Sequence, residues 1–219
     1  MQLLTPWATP IVITRMPGYD EIKSSLISYL TAETTKERYS SHHKRDTQYG
    51  IYESNFYLHK DPDQNIQKVF GFIHASLAST VFQLSVFNQQ DFENVIFNYH
   101  SWYHLTQKGG YQTVHNHPGA SWSGIFCICL DETVTQDKTG NVRFMDPRSN
   151  ADMYLDPANE RLRSPYGVGG FKVAHQPGQL VIFPSYLYHE VMPYEGEQTR
   201  IVIAFNSWCT ANHAYKSVS

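Results

Sequence analysis

Apolar positions change their period along the chain. From Tyr19 to Leu30 they fall at Ile22, Leu26, Ile27 and Leu30, the spacing of one helical face. A longer stripe of Ile66, Val69, Phe70, Ile73, Leu77, Val81 and Leu84 predicts a second helix over Asn65 to Val86. Thr9 to Arg15 is a short β-prone run closed by Pro17-Gly18, whereas Thr31 to Tyr57 is polar and reads mostly as loop. From Val95 onward the period falls to two. Strands are expected over Val95–Leu105, Gly110–His115, Ser123–Leu130, Val142–Met145, Phe171–Ala174, Gln179–Phe183, Tyr188–Met192 and Arg200–Trp208. Gly109-Gly110, Lys138-Thr139-Gly140, Gln176-Pro177-Gly178 and Glu195-Gly196 punctuate them. About eight short antiparallel strands predict a mainly β fold with flanking helices, a double-stranded β-helix of the jelly-roll or cupin-like kind. The chain is read as a single domain over 1–219, with a strand and supporting helices over 1–90 and the β-helix core over 91–219. One connection, Asp146 to Gly170, containing Tyr154, Arg161, Arg163 and Tyr166, is long and polar enough to be expected as a lid, although its arginines read equally as ordinary surface charges.

Composition excludes several classes. Hydrophobic residues make up 41% and charged residues 17%, with 15 Tyr, 12 Phe and four Trp, the profile of a folded, aromatic-rich chain. A net charge of −3 provides no field for nucleic acid or an anionic membrane, and the short run His42-His43-Lys44-Arg45 reads as a solvated stretch. Three cysteines are too few for a disulfide framework; Cys127 and Cys129 are expected as reduced core residues facing one side of a strand. The longest apolar run, Ile125 to Leu130, is too short to cross a bilayer, and no signal segment is visible. The expectation is a soluble cytoplasmic protein, with edge strands that make a homodimer plausible.

The 11 histidines carry the chemistry. In an extended strand residues i and i+2 share a face, so His115 and His117 can offer two imidazoles to one ion. His189, on a separate strand, can close a set of three, and three protein ligands leave positions open for reactants. Imidazole suits Fe, Cu, Ni and Zn alike. Arg200 begins the strand Arg-Ile-Val-Ile-Ala-Phe, which puts Arg200, Val202 and Ala204 on one face. A guanidinium aimed into a barrel needs an anionic partner. Glu190, Glu197 or the Asp146 loop could supply it; so could a ligand carboxylate gripped bidentately.

The order HxH, distal His, then Arg resembles the Fe(II)- and 2-oxoglutarate-dependent oxygenases. More closely, the chain resembles the putative 2OG-Fe(II) oxygenase family of bacteria and marine phages. The resemblance is carried by Trp102, Gly109-Gly110, His115-Asn116-His117-Pro118, Ser123-Gly124, Asp146-Pro147-Arg148 and Pro177-Gly178. It continues through Phe183-Pro184-Ser185, His189-Glu190-Val191-Met192-Pro193 and Arg200 to Phe205-Asn206, about residues 95–208 in all, while Thr9-Pro10-Ile11-Val12 resembles the family's opening strand. The resemblance implies a double-stranded β-helix that hydroxylates a C–H bond using Fe(II), 2-oxoglutarate and O2. His115, His117 and His189 would be the metal ligands, Arg200 the partner of the distal carboxylate, and Ser123 a second contact to the co-substrate. Trp102, Trp122, Phe126 and Tyr188 are candidates for an aromatic wall around the reacting centre, or for plain core. The substrate class is left as a small molecule or a peptidyl side chain.

Two positions depart from the wider superfamily. His117 stands where a carboxylate is usual, which leaves the site more cationic, and Val202 stands where a hydroxyl residue is frequent. In another register His117 is the first ligand and Gly119 occupies the carboxylate slot, as in iron halogenases; Pro118-Gly119 reads equally as a turn leaving the strand. The rival readings are a three-His, cupin-like metal dioxygenase that uses no 2-oxoglutarate, and a non-catalytic jelly-roll binding protein.

Overall fold

Both apolar stripes form helices in a computed structural model that describes residues 2–41 and 45–211; of the run His42-His43-Lys44-Arg45, only Arg45 lies within the described residues. Helix α1 (Tyr19–Thr31) buries Tyr19, Ile22, Leu26 and Leu30. Helix α3 (Gln64–Leu84) buries Ile66, Val69, Phe70, Ile73 and Leu77, and starts at Asp63, whose carboxylate accepts from the N–H groups of Asn65 and Ile66. Between them the expected loop is partly ordered into helix α2 (Glu33–Arg38) and strand β2 (Gln48–Glu53). Strand β2 carries no apolar alternation, because most of its residues keep some solvent contact. A one-turn helix, α4 (Gln89–Phe92), leads into the remaining strands.

The sheet is antiparallel throughout and opens with β1 (Val12–Arg15). Its other strands are β3 (Val95–His115), β4 (Trp122–Cys129), β5 (Val142–Phe144), β6 (Phe171–Val173), β7 (Gln179–Pro184), β8 (His189–Val191) and β9 (Arg200–Ala211). Neighbours run β1-β7-β4-β9-β3-β8-β5-β6, with β2 also on β3. The order is that of a jelly roll, because β3 serves both halves. Its first part pairs with β9 from Val95 to Thr106, and its end pairs with β8, where His115 faces His189. The two segments expected on either side of Gly109-Gly110 are therefore one strand bent at that point rather than two strands joined by a turn. Gly109 has φ +79°, and a Cβ on Gly50 of β2 would stand 3.0 Å from the Gly110 Cα, so the bend needs small residues on both strands.

Alternation then divides the sheet. Tyr103, Leu105, Phe126, Ile128, Leu180, Ile182, Ile201, Ile203 and Phe205 pack with the buried faces of α1 and α3 in the main core. The opposite face contributes Ile125, Val181, Phe183 and Val202, which meet Val142, Phe144 and Val173 of β5 and β6 across the roll. Each fully buried Leu, Ile or Phe contributes about 1.5–3 kcal/mol, which fixes the strand faces in place. A register shift between Cys127 and Cys129 overturns their expected common face: Cys127 joins Leu130 and Tyr194, while Cys129 packs on the helix side. All three cysteines are free. Among the described residues no helix is long and apolar enough to cross a membrane.

Candidate metal centre

The pairing of β3 with β8 builds the site. His115 ends β3, His189 begins β8, and their ladder pairing brings the rings to 4.3 Å between centroids. His117 lies just past the end of β3, where its N–H donates to the Ser185 carbonyl at 3.0 Å and so holds the departing chain beside the β7–β8 turn. Its ring centroid is 5.1 Å from each of the other two. One nitrogen from each histidine lies within 4.8 Å of the others.

Backbone carbonyls set the tautomers. His115 Nδ1 lies 2.8 Å from the Thr113 carbonyl and His189 Nδ1 lies 3.0 Å from the Leu187 carbonyl. A carbonyl only accepts, so Nδ1 carries the hydrogen in both rings and Nε2 keeps a free lone pair. Burial disfavours the cationic ring: His115 titrates below its ordinary range, and His117 and His189 are pushed down to about 3. The set therefore presents neutral imidazoles, the state a metal requires. This donor set fits a divalent ion of the Fe, Cu, Ni or Zn type and leaves coordination positions for other ligands.

Arg200 lies in the wall of the same cavity, which measures about 370 Å³. It is 1% exposed, and its position on β9 places it on the inner face with Val202 and Ala204. The acids within reach by sequence are engaged elsewhere. Glu190 pairs with Arg143, Glu197 with Lys108, and Asp146 with Arg148. Among the described residues the guanidinium has one hydrogen-bond partner, His175 Nδ1, 3.3 Å from Nη2, and its Nε–H has none. A buried, unpaired guanidinium is a costly group that an incoming carboxylate would satisfy. Thr106, the ladder partner of Arg200, also carries a buried hydroxyl without a partner, near the position left apolar by Val202.

Ser123 sits differently from its expected role as a co-substrate contact. Its hydroxyl is buried between the Ser185 hydroxyl at 2.7 Å and the Asn206 amide oxygen at 2.8 Å. Asn206 rather than Ser123 lines the cavity, so the serine fixes the amide that faces the cavity. Of the four candidate aromatics, only Trp102 lines the cavity, with its ring 5.9 Å from His117 and 5.2 Å from Phe56. Trp122 and Phe126 lie on the helix side because strand alternation turns them there, and Tyr188 is 54% exposed. None of Tyr154, Arg161, Arg163 and Tyr166 lines the cavity.

The wall holds groups that local sequence reading missed. Glu53, at the end of β2, is buried with its Oε2 2.9 Å from His104 Nε2, and the Trp102 indole Nε1 lies 3.0 Å from the same ring nitrogen. Burial works to raise the Glu53 carboxyl, but His104, Gln48 and Arg45 outweigh it and hold it below the usual carboxylate range. Arg45 Nε stands 3.0 Å from Glu53 Oε1. The pairing of β2 with β3 creates this cluster, and no short motif announces it.

Comparison with known proteins agrees with this architecture. A prolyl-4-hydroxylase of Pseudomonas putida superposes with a TM-score of 0.55 at 16% identity, over 90% of this chain and 91% of its own. A prolyl hydroxylase of Trichoplax adhaerens, solved with a hypoxia inducible factor peptide, gives 0.57 at 12% identity, over 90% and 83%. The α-ketoglutarate-dependent carbocyclase SnoK of nogalamycin biosynthesis gives 0.60 at 8% identity, over 96% and 85%. At these identities the likeness is one of fold. No curated protein sequence matches the chain. Residues 100–206 match a family described as "Putative 2OG-Fe(II) oxygenase", a stretch from β3 into β9 that includes all three site histidines and Arg200. The matched stretch and the fold together point to a 2-oxoglutarate-dependent oxygenase, a family whose members work with Fe(II), 2-oxoglutarate and O2, and the three-histidine group is one that could bind the iron.

Proposed function

We propose that the protein hydroxylates a C–H bond, holding Fe(II) on His115, His117 and His189 and 2-oxoglutarate through Arg200. The observation that carries this reading is the buried Arg200, without a carboxylate partner, in the wall of the cavity that also contains the three-His group. The metal, when bound, supplies oxidative decarboxylation of the co-substrate coupled to O2 activation. The chain's own work is orientation and exclusion of water. The Thr113 and Leu187 carbonyls aim two imidazoles by holding their Nδ1–H groups. Arg200 fixes the far carboxylate, so that the 2-oxo acid end points toward the histidines. Trp102 and Phe56 form an apolar wall beside His117, where a C–H bond can approach without competing hydrogen bonds. Glu53, Gln112, Asn116 and Asn206 add polar groups to the rest of the cavity, suited to a substrate that carries amide or hydroxyl groups, including a peptidyl side chain. A neighbour of the same fold is solved with a peptide, which supports the peptidyl alternative over a purely apolar substrate.

The test is anaerobic titration of the apoprotein with Fe(II) and then 2-oxoglutarate, following the visible metal-to-ligand charge-transfer band. A saturable band that disappears in His189→Ala and weakens in Arg200→Ala is the expected result. Iron binding without a band would turn the assignment to a three-His dioxygenase that does not use 2-oxoglutarate.

A further inference from the structure

Arg200 does not stand alone in the interior. His175, two residues past β6, is 3% exposed and receives a hydrogen bond from the guanidinium at its Nδ1. Because an arginine only donates, Nδ1 must hold the lone pair, and the ring hydrogen is forced onto Nε2. That Nε2 is buried and has no partner among the described residues. The imidazole stays neutral in place, since burial and the adjacent guanidinium push it down to about 3. It cannot therefore repel the arginine, and it cannot neutralise it either. A carboxylate in this position would satisfy Arg200 and close it to any ligand. An aliphatic side chain would leave Nη2 unanchored. Gly140 borders the other side: a Cβ there would meet Arg200 Cδ and the Tyr194 Cβ at 3.3 Å each, so the arginine stem is confined while its head is tethered.

We infer that His175 is the positioning residue of the Arg200 carboxylate clamp, a neutral acceptor that fixes the guanidinium while leaving its charge available. This rests on the reading of Arg200 as the anchor for 2-oxoglutarate. It assigns a role to a residue outside the histidine–arginine pattern, on the segment that follows β6.

Two 2-oxo acids separate the outcomes, since pyruvate shares the metal-binding end of 2-oxoglutarate and lacks its distal carboxylate. Dissociation constants of both are measured anaerobically on the Fe(II)-loaded protein from the charge-transfer band. His175→Leu is expected to weaken 2-oxoglutarate about tenfold, the loss of one anchoring hydrogen bond, with pyruvate and Fe(II) affinities unchanged. His175→Gln, whose amide oxygen can accept from Arg200, is expected to recover most of the affinity. His175→Glu pairs with Arg200 and should abolish the preference for 2-oxoglutarate over pyruvate; it also decides the matter if the leucine variant does not fold. Wild-type 2-oxoglutarate affinity in His175→Leu, or in His175→Glu, would overturn the assignment while leaving the function of Arg200 intact. Equal weakening of pyruvate, 2-oxoglutarate and iron would reduce His175 to a structural residue. If the wild-type protein binds Fe(II) but does not prefer 2-oxoglutarate to pyruvate, the reading of Arg200 itself fails, and the role of His175 fails with it.

Discussion

Arg200 spends one hydrogen bond on a neutral ring and keeps its buried guanidinium without a carboxylate partner, an arrangement that is costly in the free protein. Residues kept at such a cost are those that a ligand completes. Arg200→Met, which keeps length and removes charge, should therefore raise the stability of the apoprotein by on the order of 1 kcal/mol in urea unfolding. The same variant should lose 2-oxoglutarate binding by about a hundredfold, since charge-assisted bidentate contacts are the strong ones. A loss of both stability and binding would mark the arginine as a structural part of the fold. His175 and His189 provide a second prediction. Both are buried neutral with pKa values of about 3, whereas in the unfolded chain they titrate near 6.5. The unfolded state thus binds more protons between those limits. Apoprotein stability should be fully present above pH 6.5 and fall with acidification toward pH 3, by about 1.4 kcal/mol per pH unit for each such histidine. Urea midpoints at pH 7, 6, 5 and 4 measure the slope, and His175→Gln should make it shallower.

Among the secondary-structure elements, Gly124 near the start of β4 is where geometry leaves least room. A Cβ on Gly124 would lie 2.4 Å from Phe205 Cε1 and 2.8 Å from the Val181 carbonyl oxygen. The ring could turn, but the carbonyl belongs to the β4–β7 ladder and cannot yield without breaking it. Gly124→Ala should cost about 1–3 kcal/mol, read as a lower denaturant midpoint. Because Ser123 next to it fixes Asn206, the same variant should also disturb the cavity wall. The bend of β3 is the other element that matters for function: without Gly109 and Gly110 the strand could not leave β9 and end at His115 beside β8.

Across the whole molecule, a metal on the three histidines would tie together strands that are otherwise joined by few pairs. Strand β8 has three residues, and it meets β3 at Gln112 and His115. An ion on His115, His117 and His189 would add a link between the end of β3 and β8. Ligand linkage predicts about 2.7 kcal/mol of added stability at a free Fe(II) concentration one hundred times its dissociation constant. For a chain of this size that corresponds to a thermal midpoint rise of roughly 5–10 °C under anaerobic conditions. Addition of 2-oxoglutarate should raise the midpoint further in the iron-loaded wild type and much less in Arg200→Met.

Much of this was legible along the chain. The helical stripes and the strand alternation are local, because a period of 3.6 or of two selects the buried face wherever the segment ends up; His117, by contrast, lies past the end of β3 and is held beside His115 by its backbone bond to Ser185. The order of the histidines and Arg200 was sufficient to suggest their common chemistry. What the chain could not disclose depends on pairing between distant segments. The hidden strand β2 lacks an apolar alternation, and only its ladder with β3 brings Glu53 to His104. The turn expected at Gly109-Gly110 became a bend because β9 on one side and β8 on the other offered it hydrogen-bond partners. The acids that might have paired with Arg200 found other cations, and His175 came to rest against it, through the closure of the roll. Those outcomes are long-range contacts, and local sequence holds no record of them.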